Sequence, residues 1–432
     1  MKISTREFVT IEWRFLLFGL LMALCSSLGQ TFFISLFSSD IRAALSLSHG
    51  DFGTYYAIAT TASAITLLWL GKLADVMRVE KLALMVLMSL SGAALFFSQV
   101  QSVTMLVIGL FMLRLFGQGM TTHTYATAIA RRYISARGRA LSIAQLGHTL
   151  GESIAPVSVV TMMLVVDWRT IWMVLPFGAL FLLAPFLRYL TQRTRLQDGG
   201  GLEGLTTQKD TNNASANNEN STQETDVFGN DTGFGGRHWR RHDVIRHRTF
   251  WFGLLWLKAV PSYVLTGVMF HQIYLADLKN VPLASWTANY VLYAVFAVIG
   301  SLVAGQLVDR FTARRVAPYM MLPTALACIC LYFADSVMGI SLFFMLFGLA
   351  GGTPNAATTA IIAEAYGTRY LGEIKAIFLP ISVFGSALSP MVLGLMIDLG
   401  GGLEMILGSC AMIAIFAQIS SMIVLGHFRK GC

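Results

Sequence analysis

GKLADVMRVEK, residues 71–81, and GQLVDRFTARR, residues 305–315, are two charged runs of one pattern in a chain that is otherwise apolar. Each carries Gly-x-Leu-x-Asp followed by basic residues, and one offset of 234 positions relates Gly71 to Gly305 and Asp75 to Asp309. The same offset pairs Leu73 with Leu307, Lys81 with Arg315, Gly117 with Gly351, Gly138 with Gly372, Gly151 with Gly385 and Pro156 with Pro390. Matches so far apart at a single shift indicate an internal duplication.

Composition says where the halves reside. The chain has 432 residues, 55% of them hydrophobic and only 12% charged, with a mean hydropathy of +0.63. Soluble domains carry about 25% charged residues, so this is a membrane protein. Crossing the hydrocarbon takes roughly 20 apolar residues, and twelve runs qualify: 13–37, 52–71, 82–99, 103–127, 139–165, 170–190, 249–275, 284–306, 316–334, 338–363, 374–398 and 403–426. Each is expected to be helical, because a backbone in lipid has no water to bond. The first run is too long for a removable signal peptide and has no small-residue cleavage site, so it is read as the first helix. Five cysteines follow no metal or redox spacing, and neither a metal site nor a disulfide framework is expected.

With the amino terminus placed in the cytoplasm, 26 Lys and Arg residues fall on the inner side and only Arg42, Arg169 and Lys279 on the outer side. That asymmetry supports the helix count and the orientation together. It also accounts for the net charge of +8 as a topology device, which removes nucleic acid as a partner. A polar stretch rich in Asn, Thr and Gly, residues 191–248, is expected to be a disordered cytoplasmic linker between a bundle at 1–190 and a second at 249–432. The Asn-x-Ser/Thr matches at Asn213, Asn220 and Asn230 then face the cytoplasm and are chance matches. Six helices is an even number, so both halves face the same way, as parallel repeats do.

Outside the linker the chain resembles the major facilitator superfamily of secondary transporters. The residues that carry the resemblance are Gly71, Leu73, Ala74, Asp75 and Lys81 in the first loop, where Val76 departs from the usual Arg, and Gly305, Leu307, Asp309, Arg310, Arg314 and Arg315 in the second. The resemblance implies an all-α membrane fold of twelve helices in two pseudo-symmetric six-helix bundles, usually monomeric. It further implies that these loops form a conformational latch, with Asp75 near Gly372 and Asp309 near Gly138. A carboxylate is stabilised at a helix amino terminus. The plain alternative is a pair of loops that are basic only for orientation.

Other spacings point to close packing. Gly147 and Gly151 lie one turn apart, with Pro156 further along, and Gly385, Ser389 and Pro390 repeat the pattern. Gly117/Gly119 and Gly351/Gly352/Pro354 interrupt the fourth and tenth spans at corresponding places, a pointer to a substrate site.

Ionisable residues inside the hydrocarbon are costly and need a reason. Arg114 and Lys258 lie within spans that, by resemblance, line the central cavity, so two cations there favour an anionic substrate. Their alternatives are a structural Arg114 paired with backbone carbonyls and a Lys258 that reaches the surface. His148 and Glu152, one turn apart, are candidates for proton coupling; the alternative is a fixed Glu152–Arg114 pair. Gln30, Gln118, Tyr263, Asn289, Tyr293 and Asn355 complete the expected substrate-binding polar groups.

The reading is a carrier of a small organic anion, monocarboxylate-like, that works by alternating access with a proton or an exchanged anion as the second partner. It is expected in the plasma membrane, a bacterial inner membrane if the source is prokaryotic, with both termini cytoplasmic. Efflux of drugs or lipophilic metabolites is the first alternative, and a transport-inactive sensor the second. No cofactor is expected. An enzyme is disfavoured, since no HExxH, GxSxG or GxxxxGK[ST] run occurs.

Overall fold

The computed structural model describes residues 5–133, 136–191, 233, 239–367 and 369–427. The chain is all-α: α1 (Thr5–Cys25), α2 (His49–Leu70), α3 (Val79–Ser98), α4 (Val103–Met112, continued by Leu113–Met120 and Thr121–Arg132), α5 (Arg137–Met163) and α6 (Trp168–Leu183). After the linker come α7 (Leu255–Phe270), α8 (Tyr290–Phe311), α9 (Leu322–Phe333), α10 (Val337–Tyr366), α11 (Leu371–Asp398) and α12 (Leu403–His427). Among the described residues nine helical stretches are long and apolar enough to cross a membrane; α5, α6 and α10 bring the set to twelve. All twelve coincide with the apolar runs of the sequence.

The duplication is written in the backbone. Shifted by 234, the span Val103–Arg132 lands on the observed bounds of α10, Val337–Tyr366. Ser102 caps α4 and Ser336 caps α10, each hydroxyl accepting the amide N–H three residues on, from Met105 and Gly339. Ser46 (φ 53°) and Asn280 (φ 52°) are a left-handed pair at the same shift, each in the turn before a membrane helix. At these positions the local backbone geometry follows the duplicated chain, whereas Thr312 (φ 73°) and its counterpart Arg78 (φ −66°) differ.

Small residues set the helix contacts. The chain divides into two compact units, one of residues 1–33, 62–155 and 165–226, the other of 34–61, 156–164 and 227–432. In the first unit, a Cβ on Gly147 would collide with the Leu20 carbonyl and one on Gly151 with the Ser27 hydroxyl, so α5 lies against α1 with backbone nearly touching. Phe15, Phe18 and Met22 of α1 fill the core against Tyr125, Ile129, Ala140 and Ala144. In the second unit, the counterpart Gly385 leaves a Cβ only 2.7 Å from the Ala259 carbonyl, and Thr266 donates to Ser386 at 3.0 Å, joining α7 to α11.

Two features of the described residues stand beside the expected division into a bundle at 1–190, a linker at 191–248 and a bundle at 249–432. The compact units do not follow the boundary between the halves: residues 34–61 and 156–164 group with the second unit. The chemistry is visible for α2, whose first turns pack backbone to backbone on α11. The expected linker, 191–248, is also shorter at its end. Arg241–Arg246 is a helix, Trp239 is buried and its N–H bonds the Tyr366 carbonyl at 3.1 Å. The Trp239 side chain and a fully buried Val244 supply its apolar anchor. Most of residues 192–238, including Asn213, Asn220 and Asn230, lie outside the described residues.

Candidate functional site

The first unit gathers polar groups around a break in its first helix. After Cys25 the chain tightens into a 3-10 turn, Ser26–Gly29, and Gln30 is extended (φ −87°, ψ 154°), which releases carbonyls from the helical ladder. Facing this break, α4 widens into a π-helical segment, Leu113–Met120. A Cβ on Gly117 would sit 2.6 Å from Gly29 Cα, and glycine at both positions permits the approach. Arg114, only 3% exposed, donates from Nη1 to the Gly29 carbonyl at 3.1 Å. A π-segment with a buried cation is a common functional signature.

On the other side of the break stands α5. His148 Nδ1 lies 3.6 Å from Glu152 Oε2, and the His148 ring is 6.3 Å from that of Phe32. Glu152 therefore pairs with its neighbour on α5, and among the described residues no Arg114–Glu152 ion pair occurs. Gln30 is buried and Gln118 half-buried on the π-segment, so Arg114, Gln30, Gln118, His148 and Glu152 all belong to this neighbourhood.

The second unit treats its expected residues differently. Lys258 is half-buried on α7, one turn before Ser262, which bonds Ser382 of α11. Tyr263 is half-buried on α7. Asn289 is not a free polar group: it donates to the Ser285 carbonyl and accepts from Ser341, both at 2.8 Å, and so ties the start of α8 to α10. Tyr293 is 3% exposed, with its ring 5.7 Å from that of Phe347 and its hydroxyl against Gly351. Both residues hold helices together. Composition alone could not separate a packed Tyr or Asn from one facing a cavity. The side chain of Asn355 lies outside the described residues.

The signature loops are held by residues that sequence reasoning passed over. Asp75 accepts from Arg131 Nη2 at 2.6 Å, Arg131 also bonds the Ala74 carbonyl, and His123 lies 3.0 Å from the Gly71 carbonyl. In the second copy, Glu364 accepts the backbone N–H groups of Ala313 (2.6 Å) and Arg314 (3.0 Å), while the Arg310 guanidinium lies 5.2 Å from the Phe311 ring centre. Lys81 is exposed and Gly305 has open space at its Cβ position. Arg131 and Glu364 end α4 and α10; a charge in the last turn of a repeated helix was the available signal. Glu12 was missed as well: buried at 5% exposure, it accepts from Arg132 (2.9 Å) and Tyr133 (2.7 Å).

At the opposite end of the helices the second unit contains a clasp. Asp398 at the end of α11 accepts the first N–H groups of α2, from His49 at 3.0 Å and Gly50 at 2.8 Å. Gly53 and Gly394 bring the same two helices together: a Cβ on Gly53 would collide with the Pro390 carbonyl, and one on Gly394 would lie 2.5 Å from that of His49. Nearby, Ser35 donates to the Met269 carbonyl at 2.8 Å and accepts from Gln272 at 2.7 Å, and Gln272 accepts from Tyr290 at 2.9 Å. Ser35 and Met269 are themselves 234 apart, so equivalent positions of the two halves meet there. A small cavity beside them is lined by Arg42, His49, Phe52, His271 and Tyr274. Burial pushes the Arg42 guanidinium below its ordinary pKa, opposed by the carboxylates of Asp398 and Asp277.

Twelve helices in two repeated sets, with a duplicated Gly-x-Leu-x-Asp loop, define a multi-pass membrane transporter rather than an enzyme. The family model of the Major Facilitator Superfamily matches residues 19–275 and 259–429, and the chain belongs to that superfamily. No curated protein sequence gives a significant match. Among solved structures it is similar to a bacterial homologue of the human lysosomal transporter Spinster in an inward-facing, unoccupied conformation, with TM-score 0.69, 16% identity and 96% of each chain covered. It is similar also to the nucleoside transporter NupG, with TM-score 0.66, 12% identity and coverage of 97% of this chain and 98% of that one. At such identities the likeness is one of fold.

Proposed function

We propose that the protein is a secondary carrier of a small organic anion. It works by alternating access in a plasma membrane, a bacterial inner membrane if the source is prokaryotic, with both termini cytoplasmic. The observation that carries this reading is Arg114, a buried guanidinium at the α1 break whose Nη1 donates to the Gly29 carbonyl. A guanidinium has five N–H donors in a fork that matches a carboxylate. Lys258 on α7 supplies a second cation. The clasp of α2 on α11 is read as the closed outer gate, and the Asp75–Arg131 pair as part of the inner latch.

A thermal-shift panel on the purified protein tests the substrate class, because a ligand of the folded state raises its apparent stability. Small carboxylates are expected to raise the melting temperature, and nucleosides and lipophilic cations to leave it unchanged. Stabilisation by nucleosides or lipophilic cations alone would instead favour a neutral or lipophilic substrate. That second reading is supported by the bond from Arg114 to Gly29, which gives the guanidinium a structural role.

His148 and Glu152 form the proposed proton-coupling pair. A carboxylate of low exposure beside an imidazole can take up and release a proton as its surroundings change. Glu152→Gln keeps the shape and removes the titration. Uptake into proteoliposomes by this variant is expected to persist under exchange conditions yet no longer follow an imposed pH gradient; uptake that still tracks the gradient assigns Glu152 a structural role.

A further inference from the structure

The segment Trp239–Arg248, just before the apolar helix that starts at Phe250, has two faces. Trp239 and Val244 are buried, with the Trp239 ring 5.5 Å from Tyr366 and 4.6 Å from His247. Arg241, His242, Arg246 and Arg248 point outward and are exposed. The segment is pinned at both ends: the Arg240 N–H donates to Asp243 at 3.1 Å, and the Trp251 indole N–H donates to the Ile245 carbonyl at 2.6 Å. Trp251 and Phe252 are themselves 49% and 59% exposed at the first turn of the span Phe250–Phe270. Exposed Trp at the end of an apolar helix marks the level of the lipid headgroups. The arginines therefore sit at headgroup depth on a folded scaffold.

Their charge is not neutralised locally. Asp243 is near His242 (3.7 Å), and none of Arg241, Arg246 and Arg248 forms an ion pair among the described residues. The first turns of α11, on which the segment packs, and the turn before it add exposed Lys375 and Arg369 and one exposed acid, Glu373. Two of the three cations are also not dictated by the duplication. The offset of 234 places Glu7 opposite Arg241 and Glu12 opposite Arg246, whereas Arg248 keeps a basic counterpart in Arg14. A topology signal needs positive charge on one side of the membrane but not a rigid array of it beside a headgroup-level Trp.

We propose that Arg241, Arg246 and Arg248 form a site for the phosphodiester headgroup of an anionic bilayer lipid. Guanidinium forks pair with phosphate oxygens in two parallel bonds, and juxtamembrane basic clusters gain further from the surface potential of an anionic leaflet. Trp251 and Phe252 would flank the acyl chains of the same lipid. The inference is independent of the transported substrate.

The test uses the full chain reconstituted in phosphatidylcholine vesicles containing a minor fraction of brominated phosphatidylglycerol, which quenches nearby Trp fluorescence. Wild-type protein is expected to show stronger quenching by brominated phosphatidylglycerol than by brominated phosphatidylcholine, and the difference should shrink as salt is raised. In R241Q/R246Q/R248Q the preference should fall about tenfold or more, whereas the Lys triple variant should retain most of it. Equal quenching by the two lipids in wild-type protein overturns the proposal without recourse to any variant. So does an unchanged preference in the Gln variant. Loss of the preference when inorganic phosphate is added would identify a site for free phosphate and overturn the assignment to lipid.

Discussion

Arg114→Ala should reduce anion uptake into proteoliposomes by about 10- to 100-fold, the range set by losing one hydrogen bond to a charged partner at about 1.5–3 kcal/mol. The guanidinium reaches the α1 break from a π-segment. Removing it also leaves the buried Gly29 carbonyl without that donor, so a modest fall in melting temperature should accompany the lost flux. Arg114→Lys separates the two roles: it keeps the charge but not the planar fork, and partial recovery of uptake is expected. Full uptake in Arg114→Ala would refute the anion reading and leave Arg114 as a brace between α1 and α4.

Gly53→Leu should arrest transport almost completely while raising, if anything, the intrinsic stability of α2. Leu is about 1 kcal/mol better than Gly in a helix interior, so lost flux could not be ascribed to a weakened helix. The obstacle is steric: any Cβ at position 53 meets the Pro390 backbone carbonyl, which has no rotamer by which to move aside. The α2–α11 contact cannot then close, and a cysteine placed next to it is expected to stay accessible to a membrane-impermeant reagent from the outer side. Asp398→Asn should act in the same direction but weakly, since the carboxylate is exposed and the carboxamide keeps one acceptor oxygen for the His49 and Gly50 amides. Asp75→Asn, at the other end, should shift accessibility in the opposite sense by freeing Arg131. Normal flux and protection in Gly53→Leu would exclude this contact from the cycle.

Particular residues show where the sequence was sufficient. Gly147 and Gly151 announced a close helix approach, and Leu20 and Ser27 of α1 fill the space that their missing side chains leave. The offset of 234 foretold that α4 and α10 would share their ends, down to the capping serines. Asn289 and Tyr293 read from sequence like Gln30, as polar groups within an apolar span; only the structure shows that they meet Ser341 and Phe347. Glu152 likewise had two candidate partners in sequence, and the i,i+4 neighbour His148 is the one it meets.

By itself the sequence determined the twelve helices, their order and their duplication. A bilayer admits only helices of about 20 apolar residues here, and a repeat offset is a property of the string. Tertiary structure decided what each charge does: Arg114 meets a carbonyl freed by the break in α1, Asp75 meets Arg131, Glu364 meets two amides, and Asp398 caps α2. Those pairings depend on the rotation and depth of helices distant in the chain. Hydropathy sets whether a segment enters the membrane but not which way its polar face turns.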